Sequence, residues 1–222
     1  MSGQSESGER PRLTRAEAQA QTRRRVMNAA ADVFGERGFR AASLYDVAER
    51  AGHTIGAVYS NFAGKDDLFR ALMVERLRLV EAELAVAASR WQPGGVDTGS
   101  REQRIERALD QIAASESLVP PLWWRLLYEY RSYAAADPDA WAELAALEGR
   151  CRELIARQIE AFAGAFGTVL PRSPMELAEL TTALTDGLRA AHAEGRSSMT
   201  SAEGLRLVIK ALIDLSERTE QG

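Results

Sequence analysis

At several candidate helix starts a hydroxyl residue stands three positions before an acidic residue or a glutamine: Ser43 before Asp46, Ser100 before Gln103, Ser173 before Glu176, and Thr200 before Glu203. Each pair can satisfy the otherwise orphaned backbone N–H groups of a helix start reciprocally. Pro138 and Pro174 directly follow Asp137 and Ser173, the position at which a helix tolerates proline best. Gly38, Gly52, Gly167 and Gly195 stand where helices so started would stop in the left-handed conformation. No stretch alternates apolar and polar residues as a strand would. Such punctuation confines the chain to an all-α fold of about nine helices.

The 222 residues are 45% hydrophobic and 27% charged, enough apolar material for a sizeable core in a largely folded chain. No run approaches the ~18 uninterrupted apolar residues of a membrane span. The opening MSGQSESGERPRLTR lacks the apolar central region of a signal peptide. Cys151 is the single cysteine, so no intrachain disulfide can form. Together these read as a cytoplasmic protein with no membrane partner. The net charge of −4 conceals an asymmetry: Met1 to Lys65 holds 10 basic against 7 acidic residues, and the remainder 18 against 25. A polyanion partner would therefore meet the N-terminal piece.

Residues 1–15 are polar and expected to form a disordered arm, on which Arg10, Arg12 and Arg15 are candidates for the minor groove of DNA. A first helix is expected from near Glu17 to Arg37, with Val26, Ala30, Val33 and Phe34 on its apolar face. A second runs from Ser43 to Ala51 and buries Leu44, Val47 and Ala48; a short third follows Thr54 and turns Val58 and Phe62 inward. A long fourth helix, from about Lys65 to Ser89, carries an apolar series at Leu68, Leu72, Leu79 and Val86. WQPGGVDTGS then breaks the chain with a flexible loop. The second helix, the Gly52 turn and the short third helix have the length of a helix-turn-helix unit. Its second helix must bring its N-terminal end to base edges in the major groove, which accounts for a short helix with small residues outside.

The segments FGERGF, SLYDVAERAG and TIGAVYSNFAGKDDL, with their spacing from Val26 to about Leu72, resemble the TetR family of bacterial transcriptional regulators. His53 departs from the pattern, in which a buried valine is usual; a buried histidine would need partners for its ring nitrogens, and an outward one could touch DNA. The resemblance implies roles by position. Ser43 would cap the second helix and touch a phosphate, with Tyr45 beside it on the outer side. Thr54, Ile55, Gly56, Ala57 and Ser60 would form the groove-reading face, and Ile55 or Ala57 could meet a thymine methyl. Tyr59 and Asn61 resemble a phosphate-binding pair, and Lys65 a phosphate-binding lysine. Arg23, Arg24 and Arg25 divide evenly between a hydrated face and backbone contact.

The arrangement expected is thus a three-helix DNA-binding domain over residues 16–64 and a larger helical domain over 65–222. In the latter, PPLWWRLLYEYRSYAAADPDAW gathers Trp123, Trp124, Tyr128, Tyr130, Tyr133 and Trp141. Core packing accounts for most of them; the resemblance implies a cavity for a small, largely apolar or aromatic effector, for which Trp124, Tyr128, Cys151 and His192 are the candidate lining residues. Leu177, Leu180, Leu184 and Leu188 on one late helix, and Leu205, Val208 and Leu212 on the next, suit a two-helix face. In the family the corresponding pair joins a homodimer, which would read a pseudo-palindromic DNA operator. Enzyme signatures such as HExxH, CxxC and phosphate-binding glycine loops are missing, and no cofactor or metal is expected. The function expected is that of an effector-released repressor; the alternatives are an activator or a helical small-molecule-binding protein.

Overall fold

The computed structural model describes residues 14–91, 99–115 and 121–220, so Arg10, Arg12 and the 92–98 part of the expected loop lie outside it. Among the described residues there are nine helices and no strand. They fall into two compact units, the first ending at Leu72 and the second beginning at Met73.

In the first unit, α1 (Arg15–Ala41), α2 (Leu44–Ala51), α3 (Ile55–Tyr59) and the opening turns of α4 (Lys65–Ser89) enclose an aromatic core. Helix α1 starts two residues before the expected Glu17, because Thr14 and Glu17 form a capping box that turns the end of the polar arm into a helix start. It breaks at Gly38, whose φ of 80° is open to glycine at little cost. The break turns Phe39 back onto Phe34 and Phe69, with ring centroids 5.8 and 4.9 Å away, and Phe34 meets Phe69 edge-on at 5.7 Å. All three rings are fully buried, each worth roughly 1.5–3 kcal/mol of transfer free energy. Arg50 of α2 grips the Glu36 carboxylate of α1 through both terminal nitrogens, at 2.9 and 2.7 Å.

The second unit holds the rest of α4, then α5 (Arg101–Ser115), α6 (Pro121–Ala134), α7 (Pro138–Phe166), α8 (Pro174–Ala193) and α9 (Ser201–Glu220). Helix α7 packs against α6 and α8, and α9 against α8 and α5. Trp91, Ile105, Leu109, Phe162, Phe166 and Ile213 form its buried cluster, and Trp91 donates its indole N–H to Gln111 at 3.0 Å. The expected caps form at Ser100, Ser173 and Thr200, and Asp137 caps α7 ahead of Pro138. Gly167 closes α7 with φ 63°.

Two expectations need correction. Leu68 and Leu72 are buried, but Leu79 and Val86, expected on the same apolar face, are 50% and 56% exposed. Past Leu72 the helix no longer turns this stripe toward an element of its own unit. Within α6 the buried pair is Leu126 and Tyr130, while Tyr128 and Tyr133 reach the surface.

Candidate nucleic-acid interface

The α2–α3 unit is built from short-range bonds that its sequence dictates. The Ser43 hydroxyl donates to the Asp46 carboxylate at 2.7 Å and accepts from the Asp46 N–H at 3.2 Å. Asp46 also pairs with Arg37 at 2.7 Å. Its carboxyl is held below the usual aspartate range, first by the Ser43 hydroxyl and backbone N–H and then by Arg37. Gly52, at φ 66°, ends α2, and the following His53 N–H donates back to the Ala48 carbonyl at 3.0 Å. Thr54 caps α3 by accepting from the Ala57 N–H at 3.2 Å.

Helix α3 spans only five residues, too few to persist without tertiary support. Val58 and Phe62 anchor it inward and are fully buried. Arg23 of α1 closes the other side: its guanidinium lies 4.2 Å from the centre of the Phe62 ring and donates to the Asn61 carbonyl at 2.7 Å. Of the three arginines at the front of α1, all of them exposed, Arg23 thus has a definite task. A sequence offers no local signal for this bond, because its partners are 38 residues apart.

Tyr45 and Tyr59 stand on the outer side, 71% and 57% exposed, together with Thr54, Gly56 and Ser60; Ile55 and Ala57 are half-buried. Several neighbours are less available than their residue types suggest. The Asn61 amide donates to the Ala57 carbonyl at 2.8 Å, and the Ser60 hydroxyl to the same carbonyl at 2.9 Å. The Ser43 hydroxyl proton is already given to Asp46. Lys65 departs furthest from its expected role: its ammonium donates to the carbonyls of Phe39, Arg40 and Ala42 at 2.9, 3.2 and 3.1 Å. All of its protons have acceptors inside the chain. His53 turns inward, its Nε2 buried without a hydrogen-bond partner.

In the second unit the expected effector residues divide. Trp124, Tyr128 and Cys151 gather around ion pairs that were not anticipated. Arg131 binds Glu148 at 2.7 Å and Asp186 at 3.1 Å, bridging α6, α7 and α8. Arg189 lies 3.6 Å above the Trp124 ring, whose buried Nε1 has no hydrogen-bond partner. The Tyr128 hydroxyl donates to the Asp186 carbonyl at 3.2 Å. Burial foremost, and then the Glu148 charge, pushes the Cys151 thiol up to about 11. His192 is exposed near the end of α8 and takes no part in this cluster. A groove of about 310 Å³ along α4, lined by Ala82, Glu83, Val86, Ala87 and Arg90, includes none of these four residues.

The residues expected at a dimer face also divide. Leu177 and Leu205 are buried in their own unit; Leu184, Leu188 and Leu212 are half-buried. Helix α9 approaches α8 so closely that a side chain at Gly204 would collide with Leu188. Leu180 and Val208 point outward, 63% and 41% exposed, with Leu207 and Met199 adding to the apolar surface of this helix pair. Among the described residues no group of side chains could hold a metal ion, and no helix is long and apolar enough to cross a membrane.

Residues 26–72 match the family described as bacterial regulatory proteins, tetR family. The chain is similar to the HTH-type transcriptional repressor BepR of Brucella suis, 38% identical over 106 residues that make up 47% of this chain and 49% of the relative. It therefore spans about half of that relative's length. A TetR transcription regulator from Haloarcula marismortui shares the fold with a TM-score of 0.65 and 17% identity, over 89% of this chain and 98% of the other. The GusR protein of Salmonella enterica does so with a TM-score of 0.63 and 19% identity, over 92% and 100%. The N-terminal helices thus match the tetR family of bacterial regulatory proteins over residues 26–72, and the fold as a whole is one that solved tetR-family regulators share.

Proposed function

We propose that the protein is a transcriptional regulator that binds a pseudo-palindromic DNA operator as a homodimer. It represses until a small, largely apolar or aromatic effector releases it. The observation that carries the DNA-binding part is the division of α3. Val58 and, just past the helix, Phe62 are buried, while Thr54, Gly56 and Tyr59, with Tyr45 of α2, face outward without contributing to the core. A short helix held from behind and bare in front can enter a major groove. Few of the outward side chains can make paired hydrogen bonds to a base, so operator shape and phosphate contacts from Tyr45 and Tyr59 carry much of the specificity.

The dimer reading rests on the outward Leu180 and Val208 of α8 and α9, and two-fold pairing would present two recognition helices to two half-sites. The effector reading rests on the α6–α8 cluster around Trp124 and Tyr128, where polar groups are set among aromatic rings. Repression is the sign carried by the similar BepR. Release requires an effector that prefers the form of the dimer unable to span both half-sites, and the coupling is limited to that preference, typically ~1–3 kcal/mol.

Selection of bound duplexes from a random DNA library at physiological salt tests the reading directly. The expected result is enrichment of one inverted repeat. A folded, dimeric protein that enriches no sequence would rule it out.

A further inference from the structure

Lys65 opens α4, and its ammonium meets three carbonyl oxygens, those of Phe39 at 2.9 Å, Ala42 at 3.1 Å and Arg40 at 3.2 Å. It also lies 4.7 Å from the centre of the Phe39 ring. An ammonium has three protons, so each has an acceptor. The three carbonyls belong to the turn that follows the Gly38 break and to the cap that ends α1. The last carbonyls of a helix lack intrahelical donors, and a lysine is a suitable partner for them. One residue later Ser43 starts α2. Burial lowers the ammonium's pKa from its ordinary value, with the Asp66 charge acting in the opposite sense. A DNA phosphate could bind Lys65 only by displacing one of these bonds.

We propose that Lys65 is a positioning residue of the DNA-binding face: it ties the end of α1 to the start of α4, fixes the segment that launches α2, and neutralises no phosphate. This rests on the DNA-binding reading above and assigns one residue's part in it. The lysine acts through Ser43 and α2, whose placement sets where Tyr45 and the α3 surface stand. The outward tyrosines then meet the nucleic acid, while the cation stays behind them.

The two roles separate by salt dependence and by rescue. A lysine that neutralises a phosphate contributes about 0.9 to the slope of log affinity against log salt. A lysine that positions contributes nothing to that slope. Arginine keeps the charge but presents a larger, planar fork that cannot converge on three carbonyls as an ammonium does. The experiment uses fluorescence anisotropy on the full chain, with a labelled duplex taken from the random-library selection, over about 50 to 200 mM salt. Wild type is compared with Lys65→Met and Lys65→Arg, at a temperature where circular dichroism shows each variant folded.

The expected result is that both substitutions weaken binding roughly tenfold, a difference of about 1.4 kcal/mol, with the wild-type salt slope retained. Lys65→Arg carries the test by itself if Lys65→Met does not fold. A slope reduced by about 0.9 in Lys65→Met, wild-type affinity in Lys65→Arg, or unchanged affinity in both would each overturn the proposal. If the wild type itself enriches and binds no duplex, the DNA-binding reading has failed, and the assignment of Lys65 falls with it.

Discussion

The aromatic core of the first unit and the α6–α8 contact of the second are organised by different physics. Phe34, Phe39 and Phe69 fill the first with rings that contact one another edge-on or tilted. Between α6, α7 and α8 the second places Arg131, Glu148, Asp186 and Arg189 in partial burial against Trp124 and Tyr128. A close-packed aromatic core has one good arrangement, and any loss of volume is felt. A partly buried ion network roughly balances desolvation against attraction, so its net contribution is small as long as every charge keeps a partner. The first unit is thus suited to hold a surface in fixed geometry. The second joins α6, α7 and α8 partly through charges that each need a partner.

The largest expected effect tests the rigid side. Phe34→Ala should cost ~3–5 kcal/mol, read from urea unfolding of the full chain, with the first unit lost before the second. A cost below about 1 kcal/mol would mean that the aromatic cluster is not what holds that unit together. Next comes the network. Arg131→Ala leaves Glu148 and Asp186 facing each other without their shared cation and should cost roughly 1–3 kcal/mol. Arg131→Met, which keeps much of the side-chain volume, should cost distinctly less when combined with Glu148→Gln and Asp186→Asn, because the two carboxylates that lose Arg131 are then neutral. If the triple variant is as damaged as Phe34→Ala, the contrast between the two interiors does not hold.

The smallest effect lies at Cys151. Its thiol is pushed up from 9.0 to about 11 by burial and by Glu148. Since the thiolate is the reactive form, alkylation by iodoacetamide should stay slow through pH 9 and accelerate only toward pH 11. The linkage has a definite sign. Between those two values the unfolded chain has lost the proton that the folded chain keeps, so stability falls as pH rises through this window. Rapid alkylation at pH 8 would show that the cluster opens readily.

What could be read from the sequence follows from distance along the chain. The caps at Ser43, Ser173 and Thr200 need only a partner three residues on, and each was legible, as was the Gly38 break. The inward placement of Val58 and Phe62 followed from their spacing of one turn. Thr14 was missed although its partner Glu17 is equally close, because the polar arm before it obscured where the helix begins. Lys65 took its expected phosphate role from the family resemblance, and Arg23 was left between a hydrated face and backbone contact. Their partners lie 23 to 38 residues away, and only the folded unit shows which carbonyls the two cations meet. Of the charged cluster only Arg131 lies in the aromatic run; Glu148 and Asp186 are 17 and 55 residues further on, so no local pattern joins them. For Leu177 and Leu205, periodicity identified an apolar stripe but not which of its members the chain itself would cover.

The bareness of α3 also bears on how such a protein can change over generations. A methyl group added at Gly56 would meet only the Thr54 hydroxyl oxygen, at 3.8 Å, and Tyr45 and Tyr59 leave the core intact if replaced, since both project into solvent. Substitutions at these positions alter what the surface can touch while leaving the fold's stability almost unchanged. The scaffold behind them is held by Phe62, Arg23 and Lys65, and is insulated from that drift. Sequence preference is therefore free to diverge between descendants of this chain by single steps, none of which has to pass through an unfolded intermediate.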